Sequence, residues 1–483
     1  MTADGARREF DPLTASIADI HRGVESEVLD PVGVVDAYLD RIGEVDDDLE
    51  AFVVVNEAQA RAVAERQRDA IRRGELGGPL RGVPVAVKDL YDVEGIPTRS
   101  GSLASSDVPA QRDSETVARL RAAGAIVLGK TTTHEYAYGV NTPPTRNPWA
   151  LDRVPGGSSG GSGAAVAARL VPAAMGTDTG GSIRIPAALC GVTGLKATYG
   201  RVSKRGVTVL SWTLDHAGPL TTTVADCASM LDVLAGHDPG DPYSAAVEVP
   251  DFTVQLDRGV GGLRLGVSER YFTDRLDPDV AAAFENAVRA LEAAGATIVP
   301  VSFDGVELCP DIVGVIASVE AASVHQARAN ERPDLFGSDV IDALRVGHLH
   351  SGVAYVDAQR ARAVVLDGMH RMFGSVDALL SPTIATTAPP FGASRMALAG
   401  KDIDILNGLN ALTVPANVTG MPALTVPAGF DSAGLPIGLQ IMTPPFEEAL
   451  ALAVGNSYQS LTDSAAAVPV VPSREPSRER VEP

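Results

Sequence analysis

Between Pro155 and Pro186 the chain reads PGGSSGGSGAAVAARLVPAAMGTDTGGSIRIP, two serine-bearing glycine turns on either side of a small-residue apolar segment, Ala164 to Met175. Glycine doublets admit positive φ and let a reacting group come close to the main chain, so each turn can bare backbone N–H donors. A flexible Gly/Ser linker has the same composition. Such linkers are not followed at once by an Ala/Val/Leu-rich run that has to be buried, so the stretch reads as two structured turns framing a buried element.

The flanking sequence supplies an α/β framework for those turns. Helix, glycine and strand follow one another at Thr116 to Ala123, Gly124 and Ala125 to Leu128. The same pattern returns at Asp279 to Ala294, Gly295 and Ala296 to Val301. Two helix-to-strand units predict an α/β architecture. Upstream, Asp30-Pro31 opens a helix with Val34, Val35, Tyr38, Leu39 and Ile42 at helical spacing, and Glu57 to Arg73 reads as another. Residues 305–400 carry the least pattern, with a helical texture from Gly337 to Met372 and irregular structure around Pro389-Pro390.

Charge and cysteine usage narrow the function classes. A formal net charge of −21 over 483 residues disfavours a nucleic-acid or anionic-membrane surface, whose phosphates are met by Lys and Arg. No apolar run reaches the ~18 residues of a membrane span, and MTADGARREF lacks the apolar core of a secretory signal, so the expected location is the cytoplasm. Cys190, Cys227 and Cys309 are odd in number and widely spaced, which fits neither a disulfide framework nor a structural zinc site.

Two local motif matches fail on context. Gly124 to Thr131 fits GxxxxGK[ST], but an apolar β run stands where a phosphate cradle needs a loop. Gly157 to Gly161 fits GxSxG, yet loop sequence from Asn147 to Pro155 precedes it, where a nucleophile elbow needs a strand. His216 sits alone in a Gly/Pro-bounded loop and is assigned no catalytic role. What remains is a serine activated by lysine, or no enzyme. Lys88 ends the apolar strand GVPVAVK, where desolvation would lower its pKa, although the local sequence alone favours a surface lysine at a strand end.

Taken together, GGSSGGSGAAVAA, GTDTGGSIRIPAALCGVTGLKATYGRVS and GVPVAVKDL resemble the amidase signature family of serine hydrolases. The resemblance runs from Leu13-Thr14-Ala15 to Gly434 through Gln440 and is weakest over 305–400. It implies a single α/β/α domain over 1–467 with a mixed, twisted sheet flanked by helices. Within it, 1–75 is a helical part, 76–240 the catalytic core and 305–400 a variable substrate-side region, and 468–483 is a disordered tail. By motif, Ser182 resembles the nucleophile, Ser158 a relay serine preceded by a cis peptide bond from Gly157, and Lys88 the base. Main-chain N–H groups of Thr179, Gly180, Gly181 and Ser182 would form the oxyanion hole, with Ser159 hydrogen-bonding within the relay and Asp178 and Arg184 bracing the turn.

Such a site needs no metal or cofactor. Its expected substrate is a small amide or carbamate, with Tyr136, Trp212 and residues of the 305–350 region as candidate pocket lining, and a homodimer is the expected assembly. Three alternatives stay open: the A subunit of a glutamine-dependent tRNA amidotransferase, a carbamate or aryl-amide hydrolase, and a non-catalytic binding protein on the same fold. The first is weakened where that protein has a basic run, because this chain has Ile341-Asp342-Ala343-Leu344.

Overall fold

The structure, a computed structural model, describes residues 10–268, 270–463 and 466–471. Most of the expected C-terminal tail, 472–483, lies outside them. Thirteen strands follow in chain order: β1 (Phe52–Val55), β2 (Pro84–Lys88), β3 (Ile126–Thr131), β4 (Ala173–Asp178), β5 (Thr193–Lys196), β6 (His216–Thr221), β7 (Arg264–Ser268), β8 (Thr297–Val301), β9 (Ala378–Pro382), β10 (Arg395–Leu398), β11 (Lys401–Asp404), β12 (Ala423–Phe430) and β13 (Pro436–Met442). Eleven of them form one sheet in the order β1-β3-β2-β4-β6-β5-β12-β13-β9-β7-β8, and β10 and β11 pair separately.

The sheet is mixed, as the family resemblance implies. β2 runs parallel to both β3 and β4, while β4 and β6 are antiparallel. β12 pairs antiparallel with β5 and with β13, and β7 runs parallel to β8 and β9. All five residues of β2 and all six of β4 are buried, so these strands are covered on both faces, which is why they read as continuous apolar runs without alternation. Flanking helices supply the cover. Asp30 caps the helix Pro31–Leu49 by accepting from Val32 N–H, with the proline in its first turn.

The parallel pair β2 and β4 decides where chemistry can sit. Val87 is opposite Met175, so both strands leave the sheet at the same edge. Lys88 closes β2 and Asp178 closes β4, and the second glycine turn begins one residue later. The first turn leads directly into the helix Gly160–Ala167, which packs on β4. The apolar segment between the turns is therefore that helix followed by β4.

Residues 305–400 are not a separate unit, since β9 joins the main sheet. The helical texture from Gly337 is two helices, Ser338–Gly347 and Gly352–Phe373, preceded by a longer one, Cys309–Glu331. Val306–Glu331 contains an 18-residue window of mean hydropathy 1.3, long and apolar enough by composition for a membrane span. More than half of it is buried, and it packs against both neighbouring helices and the helix Val414–Thr419, which makes it a core helix. Cys190, Cys227 and Cys309 are all buried and free.

Candidate active site

Lys88 is fully buried at the end of β2, where its Nζ lies 2.8 Å from Ser158 Oγ and donates to Thr177 Oγ1 at the same distance. Burial pushes its ammonium well below the ordinary lysine value, and the carboxylates of Asp178 and Asp215 offset only part of that shift. The surface-lysine alternative is thus removed by the depth of β2. Ser158 is also fully buried, and its peptide bond with Gly157 is cis.

Ser159 ties the two glycine turns together. Its N–H donates to the Ser182 carbonyl at 3.2 Å, while its Oγ donates to Thr177 C=O and accepts from Thr177 N–H. Ser182, 7% exposed, is the most accessible of the three serines and stands one residue before the helix cap that precedes Arg184–Cys190. The turn carrying it holds Gly181 at φ +133°, and a Cβ there would fall 2.3 Å from Thr413 Oγ1. Only glycine meets both conditions. Thr413 Oγ1 donates to Gly180 C=O at 2.6 Å, which fixes that peptide plane.

Asp178 and Arg184 brace the turn from within. Arg184, fully buried, donates to both Asp178 oxygens, to Thr413 C=O, to Gln440 Oε1 and to Asn417 Oδ1. Burial raises the Asp178 pKa, but the Arg184 charge and hydrogen bonds more than reverse this and hold the carboxyl well below the usual carboxylate range. Arg184→Leu leaves that carboxylate buried and unpaired, so urea denaturation is expected to show a loss of about 3–5 kcal/mol. Because Asp178 stays ionised in the fold below its unfolded pKa of about 4, its contribution is complete above that pH and is lost only as stronger acid passes through the folded value.

One expected oxyanion donor is committed elsewhere. Gly181 N–H donates to Asp178 Oδ1 at 2.8 Å, because the carboxylate caps this turn, so Gly181 supplies conformation and no free donor. The N–H groups of Thr179, Gly180 and Ser182 carry no hydrogen bond to the described residues. The Thr179 hydroxyl is held by Asp215 Oδ1 at 2.6 Å.

A cavity of about 130 Å³ opens over Ser182, with Thr179, Gly180, Ile185, Leu210 and Val313 in its wall. No charged residue among the described ones lines it. It meets a wider cavity of about 620 Å³ at Pro310 and Asn407, and that outer space carries arginines and carboxylates. Tyr136 is not in the Ser182 cavity. It is buried against His325 and Phe336, two residues before the lining residue Tyr138, and its hydroxyl meets Ser105. Trp212 lines a different space of about 190 Å³ with Thr177, Lys204 and His216. His216 pairs with Asp178 across β4 and β6; burial drives its pKa well down, and its ring is anchored at Leu214 C=O.

Thr177, Asp215, Thr413, Asn417 and Gln440 all act on the site and were not singled out from the sequence. Asn417 lies in the helix Val414–Thr419 and Gln440 in β13, where a buried polar residue inside the apolar run PIGLQIM was the available signal for Gln440.

The family model described as Amidase matches residues 33–452. Over 449 residues the chain is 42% identical to an amidase of Pseudomonas putida, covering 92% of this chain and 96% of that one. It is 38% identical over 487 residues to the A subunit of the glutamyl-tRNA(Gln) amidotransferase of Chloroflexus aggregans, covering 94% and 97%. Among solved structures it is similar to a bacterial aryl acylamidase of the amidase signature enzymes family, with 29% identity, a TM-score of 0.87 and coverage of 95% and 99%.

Proposed function

Because the chain belongs to the amidase signature family of hydrolases acting on amides, we propose that it cleaves the C–N bond of a small, uncharged amide through an acyl-enzyme on Ser182. The observation that carries this reading is the buried contact of Lys88 Nζ with Ser158 Oγ at 2.8 Å, beside the turn that presents Ser182. A lysine held neutral by burial can take a proton.

In this mechanism neutral Lys88 accepts the Ser158 proton as Ser158 accepts that of Ser182. The Ser182 oxygen bonds to the amide carbon and the carbonyl π pair moves onto oxygen. That oxyanion is met by the N–H groups of Thr179, Gly180 and Ser182, donors of a kind each worth roughly 3–4 kcal/mol. Collapse breaks the C–N bond, and the proton returns through Ser158 to the leaving nitrogen. Water then adds to the acyl-enzyme by the same relay and releases the acid.

The uncharged wall of the Ser182 cavity supports a neutral acyl group over one bearing a carboxylate and an ammonium. Primary amides, anilides and carbamates of modest size are therefore expected to turn over, with glutamine at least ~10²-fold poorer in kcat/KM. Mass-spectrometric product assay of the purified protein against these four classes checks this. Glutamine as the best substrate would contradict it. The similarity to an amidotransferase component favours a second reading, ammonia supply within a larger complex. Co-purification with a partner chain that raises glutaminase activity would establish that one.

A further inference from the structure

Two asparagines reach the Ser182 cavity from the helix Ile405–Asn410. Asn407 is exposed at the mouth, where the outer cavity begins, whereas Asn410 lies deeper, beside Gly180. The Asn410 backbone is engaged, its carbonyl accepting from Thr413 N–H. Its side-chain amide has no partner among the described residues. Oδ1 is enclosed and unpaired. Nδ2 lies 3.9 Å from where a methyl on Gly180 would sit, next to the turn that presents Ser182.

The surroundings make this amide conspicuous. Val140, Ile185, Leu210 and Val313 give the cavity an apolar wall, and the Thr179 hydroxyl is already spent on Asp215. An asparagine left unpaired in such a wall sacrifices hydrogen bonds that a nonpolar residue of the same shape would never have needed. Oδ1 stays enclosed, so the amide atom that a ligand in the cavity can engage is Nδ2, and a ligand that accepts from it supplies the bond the protein does not.

We propose that Asn410 determines acyl-group specificity by donating a hydrogen bond from Nδ2 to an acceptor on the acyl portion of the substrate. The matching class is an uncharged carboxamide whose acyl group carries an acceptor atom, such as a ring nitrogen, next to an apolar body. This inference rests on the proposed hydrolysis at Ser182 and adds to it the part of the substrate that the cavity reads.

The test compares kcat/KM for benzamide with those for the three pyridinecarboxamide isomers, in the wild type, Asn410→Leu and Asn410→Asp. The ring nitrogen also activates the carbonyl chemically, but that effect is common to all three proteins and cancels when their isomer-to-benzamide ratios are compared. For the isomer whose nitrogen reaches Nδ2, the ratio is expected to be about ten-fold higher in the wild type than in either variant. Asn410→Leu removes all polarity. Asn410→Asp keeps the shape and an acceptor but loses the donor, so it separates hydrogen-bond donation from space filling. Equal ratios in all three proteins for every isomer would overturn the proposal, as would a preference retained by Asn410→Asp. Failure of the underlying reading looks different: the wild type itself would then hydrolyse none of the four amides.

Discussion

Ser182→Ala is expected to lower kcat for amide hydrolysis on the order of 10⁶-fold, the scale lost when the nucleophile of a serine hydrolase is removed. The size follows from what is left behind. Without a side-chain oxygen at this position no acyl-enzyme forms, and the main-chain donors of Thr179, Gly180 and position 182 can only polarise a carbonyl that water must attack unaided. Folding is not expected to suffer, because Ser182 is the site's most accessible serine and its fixed partner, Ser159 N–H, is received by its backbone carbonyl. An unchanged urea midpoint together with near-wild-type kcat would remove Ser182 from the chemistry. A loss of only about ten-fold would make it a binding residue.

The second large effect is at Lys88. Lys88→Met is expected to lower kcat by about 10²–10⁴-fold, the usual weight of a general base. The rate–pH profile should change with it. The wild-type rate should rise as pH climbs through the folded pKa of Lys88 and level off above it, since only the neutral amine accepts a proton. Burial sets that pKa well below 10.5, so the rising limb belongs far to the acid side of an ordinary lysine. Lys88→Met should lose that limb. A wild-type limb centred near 10.5, or a variant that keeps it, would place the base elsewhere.

The same substitution should stabilise the fold. Below pH 10.5 the unfolded chain protonates Lys88, while the folded chain resists doing so until pH falls to its lower folded value. The unfolded state therefore binds more protons in that window, and stability falls as pH descends through it. Lys88→Met removes this cost. Its stability gain at about pH 7 should shrink as pH rises toward 10.5, which denaturation at several pH values would show.

Legibility in the sequence varied with how local the determinant was. β2 and β3 were readable because strands buried on both faces leave unbroken apolar runs, and the helix Pro31–Leu49 because Asp30-Pro31 marks its start. The two turns were readable from glycines that no other residue can replace, as at Gly181. The setting of Lys88 was not. Its burial depends on β3 and β4 closing on either side of β2, contacts remote in sequence, and the local pattern alone favours an exposed strand end.

The candidate pocket residues show the same limit. Tyr136 and Trp212 are aromatics in the catalytic core, but position in sequence does not fix the direction of a side chain. Packing sends Tyr136 into a cluster with His325 and Phe336 and Trp212 into another cavity. Val313 of the pocket wall falls within the expected substrate-side region, 305–400, whereas Asn410 lies beyond it. The fate of the Gly181 N–H was hidden for a related reason: a carboxylate three residues earlier claims it, and only the folded turn reveals that bond.

Covalent catalysis by Ser182 is open to direct observation by trapping the acyl-enzyme. The protein is mixed with a slowly deacylated activated ester, quenched in acid within the first turnover, digested and mapped by mass spectrometry. The expected result is the mass of the acyl group on the peptide containing Ser182, absent from Ser182→Ala and absent after full turnover. An acyl group on another residue with Ser182 unmodified, or turnover with no adduct on any peptide at any quench time, would contradict it.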